Sequence, residues 1–253
     1  MTQDTLNARY RTFQKSLSSV DHELLDAFSP PLLLKIPDDW QQAAHRVMWI
    51  GQETADWSWE GKQLKADGVD WDYPDIMSLK DFAENEISLD ALTYGYGEFE
   101  FAANHRVNRS PFWRYFRWTM DEVRKHGNVS AVWTNVVRSS ANSDQGYSLW
   151  AVPDTLRAEF LARQRGLLTA EIEILQPSLI IFVSGPHYDG FIGHELDGYK
   201  SVALAPFTVR RAARLLHPVL PENTFRTYHP GFLNRNELGF SPIQAMIDQY
   251  SRT

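Results

Sequence analysis

Four short apolar runs stand out along the chain, each too brief for a typical helix and each released by polar or turn-forming residues. They are residues 47–50 (Val-Met-Trp-Ile), 131–137 (Ala-Val-Trp-Thr-Asn-Val-Val), 179–183 (Leu-Ile-Ile-Phe-Val) and, more weakly, 225–228 (Phe-Arg-Thr-Tyr). Continuous rather than alternating hydrophobicity predicts strands covered on both faces, as in a parallel sheet. Elsewhere the apolar spacing lengthens to three or four residues. Leu6, Tyr10, Phe13, Leu17, Leu24 and Phe28 predict one or two amphipathic helices over 5–28, stopped by Ser29-Pro30-Pro31. Ser110-Pro111 predicts a helix start, a capping hydroxyl followed by proline at the first helical position. Phe112, Phe116, Met120 and Val123 give that helix its buried stripe, and His126-Gly127-Asn128 ends it. A further helix capped by Asp154 continues to about residue 175 with Gly166 as a break, and a last one covers about 242–250. The alternation predicts an α/β fold in a single domain over 1–253. Its expected form is a three-layer sandwich with a short, mainly parallel four-stranded sheet.

Two stretches lack a period. Residues 58–104 carry Gly61, Gly68, Pro74, Gly95, Gly97 and abundant aromatics, which predicts a long insertion with one helix near 78–86. Insertions of that length over a strand mouth commonly serve as lids or binding loops. Residues 190–221 are equally irregular, and 209–216 fits either a strand or a short helix.

Composition narrows the chemistry. The 253 residues include no cysteine, which excludes disulfides, thiol nucleophiles and cysteine-ligated zinc or iron–sulfur sites. No apolar run approaches the roughly 18–20 residues of a membrane-spanning helix, so no membrane partner is expected. Met1-Thr2-Gln3-Asp4 lacks the basic and apolar regions of a secretory signal, so a cytoplasmic location is expected. A net charge of −7 argues against general polyanion binding, yet the charge is uneven. Acids crowd 51–100 (Asp67, Asp70, Asp72 and Asp75 among them) against Lys62, Lys65 and Lys80. Residues 105–145 reverse this with Arg106, Arg109, Arg114, Arg117, Arg124, Lys125 and Arg138. Either these charges pair across the surface, or the second group forms a local basic face for phosphates.

Each strand end delivers polar groups: Gln52 and Glu53, Asn135, Ser184 and Gly185, and His229. Polar residues must follow a buried strand somewhere, so any one of them is weak evidence. Together they put a carboxylate, an amide and an imidazole along one sheet edge, a plausible acid/base and recognition set. Trp57, with Trp59, Tyr94, Tyr96 and Phe99, offers either a base-stacking platform or the insertion's own small core. Ser184 with His187 and Asp189 hints at a hydrolase triad, but Phe182 and Pro186 occupy the glycine positions of a nucleophile elbow. His194-Glu195 lacks a zincin's second histidine, and the histidines show no metal spacing. Neither Gly-x-Gly-x-x-Gly nor a P-loop occurs, so neither a metal nor a nucleotide cofactor is expected.

Four of these segments also resemble a family. Ile50-Gly51-Gln52-Glu53, Thr134-Asn135, Phe182-Val183-Ser184-Gly185 and Tyr228-His229-Pro230-Gly231-Phe232-Leu233 look like the successive signatures of the uracil-DNA glycosylase superfamily, in order and on matching elements, over about 45–235. The resemblance implies hydrolysis of the N-glycosidic bond of uracil or a modified base flipped out of DNA, without a cofactor. It implies that Glu53 steers water and stabilises a cationic sugar, and that Asn135 reads the base; Gln52 and Trp57 are further base-binding candidates from their places at the strand mouth and among the aromatics. By the same likeness His229 stabilises the departing base anion, Ser184 and Gly185 approach DNA phosphates, and Leu233 is a wedge filling the gap in the stack. The chain departs from the pattern at four kinds of position. Glu53 replaces an aspartate, Thr54 and Ala55 replace Pro-Tyr, and Gly231 and Phe232 replace Ser-Pro. The acidic insertion is the fourth departure and is also a candidate surface for a protein partner. Two other outcomes fit the residues: a non-catalytic base-binding module, and a hydrolase of free nucleosides or nucleotides.

Overall fold

The computed structural model describes residues 2–55, 57–60, 73–102, 104–142 and 148–252 in full, and 63–66 and 69–72 as backbone. Helices α1 (Gln3–Leu17) and α2 (His22–Ala27) precede strand β1 (His45–Gly51). A hairpin of β2 (Gln63–Ala66) and β3 (Val69–Asp72) follows, then α3 (Leu79–Glu84), α4 (Ser88–Glu100), α5 (Asn104–Val107) and α6 (Pro111–Arg124). Next come β4 (Val129–Asn135), α7 (Asp154–Gln164), α8 (Leu167–Leu175), β5 (Leu179–Phe182) and α9 (Asp189–Glu195). The chain closes with β6 (Lys200–Ala203), β7 (Ala212–Leu216), β8 (Thr224–Thr227), α10 (Pro230–Arg235) and α11 (Ser241–Tyr250).

The main sheet has the order β4-β1-β5-β8-β7-β6. Its first four members are parallel and are the four apolar runs of the sequence. β7 and β6 extend it antiparallel from β8, so the fold is α/β with a mixed six-stranded sheet rather than the expected four-stranded one. The two added strands escape the sequence pattern for a physical reason. β6 is exposed or half-exposed along its length at the sheet edge, and in β7 Arg214 separates two small residues from two leucines. Neither therefore carries a continuous apolar run, and the ambiguous 209–216 stretch resolves as β7.

Crossovers set where the helices lie. β1 leads through α3–α6 to β4 on one side, and β4 leads through α7 and α8 to β5 on the other. Two right-handed crossovers running in opposite directions place their helices on opposite faces. On the first face Phe112 and Phe116 of α6 meet Trp49 of β1 edge-on, with ring centroids 6.2 and 6.0 Å apart. α1 belongs with α7 and α8, tied by a buried polar chain. The Tyr10 hydroxyl donates to Glu171 at 2.6 Å, and Arg138 donates to the other Glu171 oxygen at 2.7 Å and to Thr134. Arg138, grouped above with the basic face, is thus fully buried and belongs to the core.

Residues 5–28 form two helices, α1 and α2, one of the two expectations, and the 154–175 helix is broken at Gly166, whose φ is +89°. From residue 73 onward the 58–104 stretch is largely helical and packed, where the sequence pattern predicts one helix in an aperiodic loop. Ile76, Leu79, Phe82, Leu89, Leu92 and Tyr96 are all buried in the common core. Gly95 and Gly97 read as breakers in the sequence, yet both lie inside α4. A Cβ on Gly95 would stand 2.5 Å from the Trp59 ring, so here glycine serves close packing rather than a turn. The side chains of Asp67, Asp70 and Asp72 lie outside the described residues. Among the described residues no helix is long and apolar enough to cross a membrane.

Candidate active site

Parallel strands place their carboxyl ends on one edge of the sheet, where ligands of such sheets bind. At that edge Gly51 of β1 is in register with Asn135 of β4. A Cβ on Gly51 would lie 2.2 Å from Asn135 Oδ1 and 3.1 Å from the Phe112 ring. Glycine is therefore required for the asparagine amide to lean across the end of β1. Asn135 is 4% exposed, and no described residue hydrogen-bonds its side chain. The next residue, Gln52, donates through Nε2 to the Ser184 carbonyl at 2.7 Å and so joins the ends of β1 and β5.

His229 follows β8 directly and is the N-cap of α10. Its Nδ1 accepts the Gly231 backbone N–H at 3.1 Å. A ring that accepts at Nδ1 carries its proton on Nε2 when neutral, leaving Nε2–H as a donor. Burial, reinforced by Arg235, pushes the His229 pKa down to about 4, so that neutral form prevails near pH 7. Glu53 sits beyond β1, where its Oε2 accepts the Leu149 N–H at 2.6 Å. Burial raises its pKa, opposed first by that bond and then by the Tyr188 and Ser148 hydroxyls.

Gln52, Glu53, Trp57, Asn135 and His229, five of the residues singled out in the sequence, line one cavity of about 690 Å³. Its walls are aromatic. Trp57 meets Trp133 edge-on at 5.9 Å, Trp113 meets Trp133 at 4.9 Å, and Phe112 lies at 21° to the His229 ring, 6.1 Å away. Phe99 of α4 completes the wall, so the insertion contributes to the site after all. Of the remaining aromatics, Trp59 packs on Tyr94 and Tyr96 stacks behind Trp133, both as core. Arg235 lines the mouth with Asn108 and Ser110, and the exposed Arg114 reaches from α6 to Asn234 beside Arg235. Arg109, between Asn108 and Ser110, is exposed.

The other three expected residues are placed differently. Ser184 and Leu233 are fully buried and Gly185 is buried behind Tyr228. Ser184 and Gly185 therefore present no surface to a phosphate here. Leu233 cannot act as the expected wedge, because with His229 as N-cap the fourth helical position turns into the core. The half-buried aromatic on that helix is Phe232, stacked on Tyr228 with centroids 4.1 Å apart. The hinted triad is also dispersed: Asp189 pairs with Arg226 at 3.0 Å, and His187 is exposed. Sequence reasoning missed Phe112, Trp113, Trp133, Ser148 and Arg235 as residues of the site. Proximity of Arg235 to His229 in the chain was the one available signal. Among the described residues no group of three or more His, Asp or Glu is placed to hold a metal ion.

Comparisons of the chain with protein-family models, curated proteins and solved structures return no match. What the cavity does is therefore argued from its own residues.

Proposed function

We propose that this protein is a uracil-DNA glycosylase-like enzyme that hydrolyses the N-glycosidic bond of a base flipped out of DNA. One observation carries the reading: an uncommitted amide, a neutral imidazole donor and a carboxylate line the same aromatic-walled cavity. A planar base fits between aromatic faces, and an amide offers both a donor and an acceptor to its edge. That is the role of Asn135. As the C1′–N bond breaks, its electron pair passes to the base, and the His229 Nε2–H stabilises the oxygen where that charge collects. The sugar becomes cation-like, so the negative charge of Glu53 lowers its energy and orients the attacking water. Water oxygen bonds to C1′, its proton leaves to Glu53 or solvent, and the base anion takes up a proton from solvent, giving free base and an abasic sugar. Arg109, Arg114 and Arg235 frame the mouth for the flanking phosphates, and Phe232 on Tyr228 takes the stacking role that buried Leu233 cannot.

The test is a base-release screen with oligonucleotides carrying uracil, hydroxymethyluracil or hypoxanthine, single- and double-stranded. Activity is expected on at least one. Glu53→Gln, Asn135→Ala and His229→Gln are each expected to lower kcat by roughly 10²–10³-fold, typical of losing one preorganised electrostatic group. Release of no base by the wild-type protein overturns the proposal. Base binding that survives Glu53→Ala without turnover would instead assign a non-catalytic module.

A further inference from the structure

A base that leaves the stack uncovers the faces of its neighbours, and those faces can take a new partner. The arginines of the proposed phosphate rim stand on one side of the sheet, Arg114 on α6 and Arg235 on α10, which packs against α6. On the other side the rim is built differently. Ser148 lines the cavity, the Leu149 N–H donates to the Glu53 carboxylate at 2.6 Å, and the short turn Leu149–Ala151 packs on α7. The residue after that anchor is Trp150. It is 56% exposed, whereas every other tryptophan whose side chain is described is buried or half-buried. A ring left in water has no packing reason to be held in place, yet this one is held from two sides. The Arg157 guanidinium stands 4.6 Å from its ring centroid, and Phe191 of α9 lies 5.4 Å away at 44°. Arg157 is in turn fixed by Asp154 at 2.5 Å. A flat ring backed by a cation, on an anchored turn beside a cavity, has the build of a stacking platform.

We propose that Trp150 stacks on an unpaired base next to the flipped one, and that the protein's substrate is therefore single-stranded DNA. This rests on the glycosidase reading of the cavity and adds to it the path of the strand. The strand crosses the carboxyl edge of the sheet with its phosphates at the arginines of the α6 side and a neighbouring base on the indole of the α7 side. A base in intact duplex has both faces covered by its neighbours and cannot use the platform, whereas a single strand offers a free face at every base. Stacking is indifferent to base identity, so the choice of base stays with the cavity and the choice of strand form falls to Trp150.

The test is fluorescence anisotropy of the full chain with a labelled thymidine oligomer of about twelve nucleotides, long enough for one binding site. Trp150→Ala is expected to weaken binding roughly tenfold, the loss typical of one base–aromatic stack, without changing the slope of log K against log salt, since no phosphate contact is removed. Trp150→Phe keeps a ring and is expected to lose less. A strand of the same length with abasic spacers in place of the bases should bind both variants as it binds the wild type, and so should a blunt duplex. Equal affinity of wild type and Trp150→Ala for the thymidine oligomer overturns the proposal, even in a protein that releases bases. An equal loss on the spacer strand also overturns it, because Trp150 would then act through the architecture of its turn. A loss confined to strands that carry bases, in a protein that releases none, supports the platform and removes the glycosidase reading.

Discussion

A single methyl group on Gly51 would contend with the Asn135 amide for the same space, and the amide is the part free to move. Gly51 has no left-handed backbone, so alanine is tolerated by the chain itself and the cost falls on the neighbouring side chain. Gly51→Ala is thus expected to swing the amide out of the cavity and to lower kcat/KM to about the level of Asn135→Ala, while the protein stays folded. The two changes act on one group, so the double variant should be little worse than either single one. Additive losses in that cycle, measured by base release, would show that Gly51 acts by another route. The same residue scale explains what the sequence disclosed of the site. Glu53, Asn135 and His229 each follow an apolar run, where a buried strand must give way to polar groups. Trp113 and Trp133 gave no such signal, since an aromatic on a helix stripe or in a strand reads as core until the neighbouring element fails to cover it. Leu233 misled because its facing depends on where α10 starts, and His229 sets that start by capping it.

At the scale of elements, the strands that fold against two layers were legible and those at the edge were not. β1, β4, β5 and β8 must be apolar on both faces, whereas β6 meets solvent and keeps Lys200 and Ser201 without penalty. α4 was hidden differently, because its glycines mark packing against Trp59 and Lys35 rather than a break in the helix. The joint between α1, α8 and the end of β4 was equally unreadable, since Arg138 looks like any loop arginine until Glu171 is brought to it. Burial drives the Glu171 carboxyl up, and the Arg138 charge, with the Tyr10 hydroxyl, draws it back. Arg138→Met strands that carboxylate in the core and is expected to cost about 3–5 kcal/mol in denaturant unfolding. Adding Glu171→Gln removes the stranded charge while keeping an acceptor for Tyr10, and should recover most of the loss. A single variant that unfolds at the wild-type denaturant midpoint would mean that the pair carries no such strain when broken.

For the molecule as a whole, the proposed reading raises the question of how a chain of net charge −7 would meet a polyanion. The sequence offered two answers for its basic segment, surface pairing or a phosphate-binding face, and the folded chain divides them. Arg124 and Lys125 pair along α6 with Asp121 and Glu122, and Arg138 is buried. Arg235 of α10 lines the cavity, the exposed Arg114 bonds its neighbour Asn234, and the exposed Arg109 lies in the chain between the lining residues Asn108 and Ser110; none of the three has an ion pair among the described residues. Attraction is then local, and the remaining surface repels nucleic acid lying elsewhere on it. Neutralising phosphates releases counterions, so log K should fall with log salt at a slope of roughly −0.9 per phosphate on duplex DNA. With three arginines engaged, the triple change to Gln is expected to flatten that slope by about three, and Arg235→Gln alone by about one. Fluorescence anisotropy of a labelled duplex from 50 to 300 mM salt measures both. Binding that ignores salt, or a slope untouched by the triple variant, would remove the arginine rim as a DNA contact. If bases were nonetheless released from free nucleosides at a rate indifferent to salt, the cavity would belong to a hydrolase of small molecules, for which an acidic surface is no obstacle.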